Sequence, residues 1–548
     1  MSLPPSTHGP FKAPVFESVN PATGEVVGTF EIMDGDAVGA VVARARKAAA
    51  WWSGLSFAER ERHLLTWSAW VWQHRADLVE VLHAENGKPP DDCTLEIVMA
   101  LEHLRWAARN AARVLRTRRV FPGLLMANHS AAVHRLPLGV VAVIGPWNYP
   151  VFTPMGSIGY ALAAGNAVVF KPSEYTPAIG AWLVRSFAEA LPDAPAGVFA
   201  LVTGDGTSGA ALCAAGIDKV AFTGSTPTGR RIMEACARTL TPVTLECGGK
   251  DAVIVAADAD LAAAARAIAW GAMSNGGQTC IGVERVYVVE KVREEFVDRL
   301  CRALDGIHPG SDRRAHYGPM TTPQQVDVVR RHVEDAVRRG GRVVYGSPEV
   351  ARSRYVDPVV ILDPPEDSLA VQEETFGPTV TVTTVANLED AVTRVNASKF
   401  GLGAAVFGRR DAQAVAERLD VGVVTVNSVI AFAVMPSVPM GGRRDSGFGR
   451  VHGADGLLGF TRAFGLTRLR FPTPGVDLQR LQRTRLSMAV IVRAASWLNR
   501  PPKPAPTRGS KDRGAARQRP TGQNPTAQDP TTQAKFRVVH LVRSRRSR

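Results

Sequence analysis

Along much of the chain the apolar positions come in short continuous runs rather than in alternation. Residues 139–146 (GVVAVIGP), 167–174 (AVVFKPSE), 197–206 (GVFALVTGDG) and 218–225 (DKVAFTGS) are rich in Val and end in Gly, Pro or polar residues. Runs of this kind are the pattern of strands buried on both faces of a parallel sheet. Between them, Ala-rich stretches such as 179–191 and 207–215 supply helical crossovers. Alternating strands and helices predict an α/β fold built on a doubly wound parallel sheet with right-handed connections. Ligands of such a sheet bind beyond the carboxyl ends of its strands.

Length and charge refine this picture. A chain of 548 residues, 45% hydrophobic and 21% charged, is globular and too long for one core. The net charge of +14 is unevenly placed: from Asn499 onward 13 basic residues face only Asp512 and Asp529, a net +11, which leaves +3 for everything before. The body is therefore near neutral, and the Pro-, Gly-, Gln- and Thr-rich tail 499–548 has the composition of a disordered appendage. Anionic membrane or nucleic acid is the weaker reading of that tail. Residues 485–498 (RLSMAVIVRAASWL) are too few to cross a bilayer; they fit an interfacial helix, or one packed on the body or on a second subunit. Six scattered cysteines without a C-x-x-C pair or a His cluster indicate neither a disulfide framework nor a metal site. With no apolar core near its N-terminus, the chain is expected in the cytoplasm, with peripheral contact to a membrane through the tail as the alternative.

The candidate chemistry centres on NGGQTCIGVERV, residues 275–286, where Cys280 follows a Gly-Gly-Gln-Thr approach. A free cysteine more often packs as a small hydrophobe; as a nucleophile it needs a base and an oxyanion site elsewhere. FTGSTPTGRR, residues 222–231, reads as a strand end, a turn and a helix start with Pro227 in the first turn. Such a helix N-terminus binds anions, and Arg230 and Arg231 exclude a nucleotide-triphosphatase loop. PWNYP (146–150) sets Asn148 just past a strand end, where its amide can donate to a developing oxyanion, a contact of about 3 kcal/mol in other enzymes. TLECGGK (244–250) ends a strand with Glu246, and QEETFGP (372–378) offers Glu374 for a sugar hydroxyl and Phe376 for a flat ring. Singly these read as a turn Asn, a surface Glu and a core Phe; their order along one chain asks for a common explanation.

In that order, together with KPSE (171–174) and a late GG (441–442) and SGFGR (446–450), the segments resemble the aldehyde dehydrogenase superfamily over roughly residues 15–470. The 34-residue spacing between Glu246 and Cys280 matches as well. The resemblance implies oxidation of an aldehyde to a carboxylic acid. Cys280 would form a thiohemiacetal whose oxyanion rests on the Asn148 amide and the Cys280 N–H. Hydride would pass to a nicotinamide, and Glu246 would activate the water that cleaves the resulting thioester. No metal is implied. For the cofactor it assigns Lys171 and Glu174 to the adenosine ribose, Gly224 and Ser225 to the pyrophosphate, Trp147 to the cofactor's surroundings, Glu374 to the nicotinamide ribose and Phe376 to the ring. A carboxylate at Glu174 would repel a 2′-phosphate, so NAD is expected, with NADP as the alternative.

Succinate-semialdehyde dehydrogenases carry arginines for the distal carboxylate where this chain has Ser274 and Gly156. An uncharged aliphatic or aromatic aldehyde is therefore expected, with Val151, Phe152, Met155, Met273 and Phe432 as candidate apolar walls and succinate semialdehyde as the alternative. A CoA-dependent acylating relative would lack a base at Glu246. Cys247, next to that base, reads as packing. The expected domains are a cofactor-binding half, 1–248, holding an oligomerisation hairpin at 116–135; a catalytic α/β half, 249–425; a return segment with an oligomerisation strand, 426–470; an extension with a short amphipathic helix, 471–498; and the tail, 499–548. The small β element implies a homodimer or homotetramer.

Overall fold

The computed structural model describes residues 14–472, 481–482 and 484–501; most of the basic tail lies outside them. The described body, residues 14–472, forms one compact unit.

Its first half is organised by a six-stranded sheet in the order Gly447–Phe448, Val243–Cys247, Lys219–Gly224, Val140–Ile144, Ala167–Lys171, Phe199–Leu201. All neighbours are parallel except the short edge strand Gly447–Phe448, which is antiparallel. Every residue of Val140–Ile144 and Ala167–Lys171 is buried, which is what their unbroken apolar runs require. Alternate side chains serve opposite layers. Val141 and Val143 join the core under the helices Phe57–Gln73, Pro90–Val114, Phe152–Ala163 and Pro177–Ala190. Val140, Ala142 and Ile144 join the core beneath Gly35–Gly54, Gly206–Ala214 and Thr226–Ala237. At about 1.5–3 kcal/mol for each buried aliphatic side chain, this two-sided burial holds the layers together. The strand Phe199–Leu201 is shorter than the run from residue 197 to 206 suggests, because the run turns at Gly204 into the helix capped by Asp205.

The second half repeats the plan. A seven-stranded sheet runs Arg342–Tyr345, Val359–Leu362, Thr379–Val385, Arg285–Val289, Ala252–Val255, Gly403–Phe407, Val423–Val426, antiparallel only between the first two. Val253 and Val255 point into one core, Ala252 and Ile254 into another. A three-stranded antiparallel sheet joins Thr461–Leu469, His129–Pro137 and Arg118–Val120. A two-stranded antiparallel sheet pairs Val15–Val19 with Val26–Glu31, and a separate unit that starts at residue 473 contains the helix Arg485–Leu498, capped by Thr484. No helix among the described residues is long and apolar enough to cross a membrane.

The chain thus leaves the first sheet at Cys247 and returns to it 200 residues later, pairing Gly447 with Glu246. Gly447 has φ +94°, and a Cβ there would lie 2.0 Å from the Leu245 carbonyl oxygen. Neither condition admits a side chain. We predict that Gly447→Ala costs at least about 2 kcal/mol through strain and clash. Its denaturation midpoint should fall clearly below that of the parent, and an unchanged midpoint would refute the packing described.

Candidate active site

Strand order in the six-stranded sheet reverses between Val140–Ile144 and Lys219–Gly224, the place where a doubly wound sheet opens a crevice. Trp147 and Asn148 leave the carboxyl end of the first strand, and Ser225 leaves that of the second. Ser225 caps the helix Thr226–Ala237, its hydroxyl accepting from the Thr228 N–H at 3.5 Å. Arg230, close to this turn, is held by Asp445 at 2.8 Å. On the neighbouring strand Lys171 is buried and donates to the Pro172 carbonyl at 3.1 Å; burial lowers its pKa, while Glu174 and Asp205 oppose that shift. The Glu174 carboxylate accepts from the Ser173 hydroxyl at 3.3 Å.

Opposite this crevice lies the loop that carries Cys280. Asn275, Gly276 and Gly277 have φ of 56°, 65° and 71°, three successive left-handed residues that reverse the chain after the helix Leu261–Met273. A Cβ on Gly277 would fall 2.0 Å from the Gly377 oxygen. Side chains lock the turn. Asn148 Nδ2 donates to the Gln278 carbonyl at 2.8 Å, and Asn275 Nδ2 donates to the Asn148 and Gln278 carbonyls, each at 3.1 Å. Gln278 Oε1 accepts from the Thr321 N–H at 2.9 Å. Asn148 is thereby tied to the backbone two residues before the cysteine, and its second amide hydrogen stays available.

Cys280 and Glu246 line the same cavity, of about 180 Å³. Both Glu246 carboxyl oxygens are buried without a hydrogen-bond partner, and burial raises its pKa well above 4.5 against the pull of Arg450. Burial first, then the carboxylates of Glu374, Asp251 and Glu246, push the Cys280 thiol up. Cys247 also borders the cavity, while its sulfur packs against Gly229 of the helix Thr226–Ala237.

Glu374 accepts from the Gly249 N–H at 2.9 Å and is pushed up to about 8 by burial and by Glu284. Phe376, at φ +53°, meets Trp147 edge to face with ring centres 5.5 Å apart. Holding that loop is Glu284, which accepts from the Thr375 N–H at 2.8 Å and the Phe376 N–H at 3.0 Å and is paired with buried Lys250. A second buried pair supports the Asn148 loop. Glu96 accepts from the Val151 and Phe152 N–H groups at 2.8 and 3.1 Å and binds Lys88, whose ammonium lies 3.8 Å from the centre of the Tyr149 ring. Sequence reasoning missed Glu284, Lys250, Glu96 and Lys88 as supports. Only Glu96 and Glu284 carried a signal, a charge within an otherwise apolar run.

The expected walls need correcting. Phe152 lines the cavity, but Val151, Met155, Met273 and Phe432 do not. Met155 and Val151 pack into the first core, Met273 into the second, and Phe432 into a small cluster with Ile281, Leu402 and Met440. Closeness in sequence to a motif does not determine which face of a helix meets a cavity. The observed walls include Met99, Ile430, Met440 and Val451, and the outer lining residues Leu95, Trp270 and Val434 are about half exposed. His452 also lines the cavity, packed against Gly156 so closely that a Cβ there would lie 2.5 Å from its Nε2. Burial, then neighbouring His103, holds the His452 pKa well below 6.5.

A sequence profile of the Aldehyde dehydrogenase family matches residues 10–463. Among curated proteins, the 4,4′-diapolycopene aldehyde oxidase of Methylomonas sp is 37% identical over 466 residues, covering 83% of this chain and 86% of that one. The NADP(+) succinate-semialdehyde dehydrogenase of Escherichia coli (strain K12) is 34% identical over 439 residues, covering 79% and 89%. Among solved structures, an NAD-dependent aldehyde dehydrogenase from Sinorhizobium meliloti superposes with a TM-score of 0.80 at 33% identity, covering 84% of this chain and 93% of that one.

The Glu284–Lys250 pair supplies a test. Glu284→Ala strands a buried ammonium and should cost about 3–5 kcal/mol. Replacing both, as Lys250→Met with Glu284→Leu, should recover part of that loss. Urea denaturation measures both, and a single variant as stable as the parent would show that the pair holds nothing.

Proposed function

Because the chain belongs to the aldehyde dehydrogenase family and is an NAD(P)-dependent enzyme that oxidises an aldehyde, we propose that Cys280, Glu246 and Asn148 are its reacting groups and that its substrate is an uncharged aldehyde. The observation that carries this reading is the shared cavity of Cys280 and Glu246, with Asn148 bonded to the backbone beside the cysteine.

Burial and the neighbouring carboxylates hold the proton on the Cys280 sulfur, so a base must take it. Glu246 is suited to this role, because a desolvated and unpaired carboxylate is a stronger base than one in water. The sulfur adds to the aldehyde carbon, and the free N–H of the Asn148 amide, with the Cys280 N–H, meets the oxyanion. After oxidation to the thioester, Glu246 draws a proton from water as the water attacks, releasing the acid and returning the thiol.

The residues around the crevice fit a dinucleotide. The capped helix start at Ser225 offers N–H groups to a pyrophosphate. Buried Lys171 and half-buried Glu174 would hold a ribose, and Glu374, Phe376 and Trp147 would frame the nicotinamide end. When bound, the nicotinamide supplies the hydride acceptor. Glu174 disfavours a 2′-phosphate, and Arg230 is engaged by Asp445, so NAD is favoured. The exposed strand Thr461–Leu469, which presents Phe464, Leu466 and Leu469 beside the hairpin strands, is proposed as the subunit contact of a dimer or tetramer.

The uncharged substrate is supported by a cavity lining without a free cation: Lys88 is neutralised by Glu96, and His452 is kept neutral by burial. In a panel assayed with NAD and NADP, hexanal or benzaldehyde should exceed succinate semialdehyde in kcat/KM by at least about tenfold, with NAD preferred. The reverse order would overturn the substrate assignment and leave the chemistry intact.

The chemistry has its own test. Cys280→Ala should abolish turnover, and Asn148→Ala should lower kcat by about 10²–10³. Because the pKa values of Glu246 and Cys280 are both raised, their basic forms gain population as pH rises, so kcat/KM should climb through neutrality. A profile flat from pH 5 upward, or an active Cys280→Ala variant, would remove these residues from the mechanism.

A further inference from the structure

The helix Arg485–Leu498 has no part in the active site, yet its surface is far from bland. Wound at 3.6 residues per turn, it gathers Arg485, Ala489, Arg493 and Ser496 within one narrow arc. Leu486, Val490 and Trp497 form one edge of the remaining surface, Ile491 and Leu498 its middle, and Met488 and Val492 the other edge. Leu486 is 76% exposed, Trp497 60% and Val492 55%. A water-facing helix would carry polar groups there; this one carries the side chains that an interface accepts.

Its surroundings fix the kind of interface. Between Asp477 and Asp512 the sequence holds Arg480, Arg483, Arg485, Arg493, Arg500, Lys503, Arg508 and Lys511, and no acidic residue. A cationic segment around an apolar, Trp-bearing helix complements a surface that is anionic outside and hydrocarbon beneath. At 14 residues the helix is about 21 Å long, short of the roughly 30 Å of a bilayer core, so it fits along such a surface and not across it. A nucleic acid would engage the cations and leave Val490, Val492 and Leu498 without a partner.

We propose that Arg485–Leu498 docks this enzyme on an anionic lipid surface, with its apolar face in the acyl boundary and its arginines among the headgroups. One consequence rests on the aldehyde reading above. The cavity's exposed apolar rim, Leu95, Trp270 and Val434, suits an aldehyde that itself partitions into lipid, so docking raises the concentration at which such a substrate is met.

The test uses the full chain and vesicles of phosphatidylcholine, with or without about 30% phosphatidylglycerol. The parent should float with the mixed vesicles at least about tenfold more than with the neutral ones, and less at high salt. Leu486→Ser with Trp497→Ser, and separately Arg485→Glu with Arg493→Glu, should each lose most of that binding while oxidising hexanal in water as the parent does. Equal binding by the parent and both variants would move the contact to the tail and overturn the proposal. So would absence of flotation, a change of oligomeric state on size exclusion in the Ser variant, or displacement of the vesicles by a single-stranded oligonucleotide. On hexadecanal carried in mixed vesicles the parent should show at least about fivefold lower KM than either variant. Vesicle binding without any aldehyde turnover would keep the docking and remove the enzymatic reading.

Discussion

The hydrogen bond from the Asn148 amide to the Gln278 carbonyl is the constraint on which the active site depends. One residue lies in the loop after a strand of the first sheet; the other belongs to the loop that leads toward the second. Three consecutive left-handed residues would not hold as an isolated turn, and Asn275 is there without the freedom of glycine. The bonds from Asn275 to both carbonyls offset the strain and leave Cys280 in one place. The shape of the Cys280 loop is thus set by a residue more than a hundred positions away, the same residue proposed above to meet the developing oxyanion. Positioning and electrostatics are joined in one side chain, so disturbing either disturbs both.

Around that bond the protein buries several carboxylates in little space. Glu246, Asp251 and Glu374 all have raised pKa values, with burial the largest cause for each. Asp251 and Glu374 accept backbone N–H bonds, from Gly403 and Gly249, which stabilise their charged forms. Glu246 alone of the three has no such partner. A carboxylate left unsatisfied in a dry site is costly to stability and useful to catalysis, since its affinity for a proton rises by as much as its charged form is destabilised. The same crowding raises the thiol's pKa. Burial thus keeps both the proposed nucleophile and its proposed base protonated to higher pH than in water.

What was legible in the sequence follows from distance. Val-rich runs disclosed the parallel strands because two-sided burial forces every position to be apolar, and the Asn148, Glu246 and Cys280 segments stood out because each sits on a strand end or tight turn with its own local grammar. The supports were not legible. Glu96 reaches Val151 across 55 positions and Glu284 reaches Thr375 across 91, and an acidic residue in a helix or before a strand gives no sign of a remote backbone partner. The pairing of Gly447 with Glu246 was hidden in the same way: its glycine-rich segment was visible, the carbonyl it must approach was not. Cavity walls failed for a different reason. Met155 and Phe152 are three residues apart on one helix, but only Phe152 lines the cavity.

The substrate end of the cavity shows how an absence becomes a specific arrangement. Where an arginine side chain would have to leave position 156, Gly156 leaves room for an imidazole from residue 452, which fills the volume without bringing a charge. His103 packs on it with ring centres 4.0 Å apart, and its Nε2 meets the Ala433 carbonyl at 2.8 Å. With its pKa lowered to about 4 by burial, His103 is neutral at physiological pH, and its Nε2 must then carry the proton that the Ala433 carbonyl accepts. The pair therefore behaves as a rigid, uncharged plug that also fixes one wall of the cavity through residue 433. An arginine placed at position 156 would meet this imidazole before it met any substrate. In the substrate reading proposed above, the packing of these two histidines would serve an uncharged aldehyde as much as the missing guanidinium does.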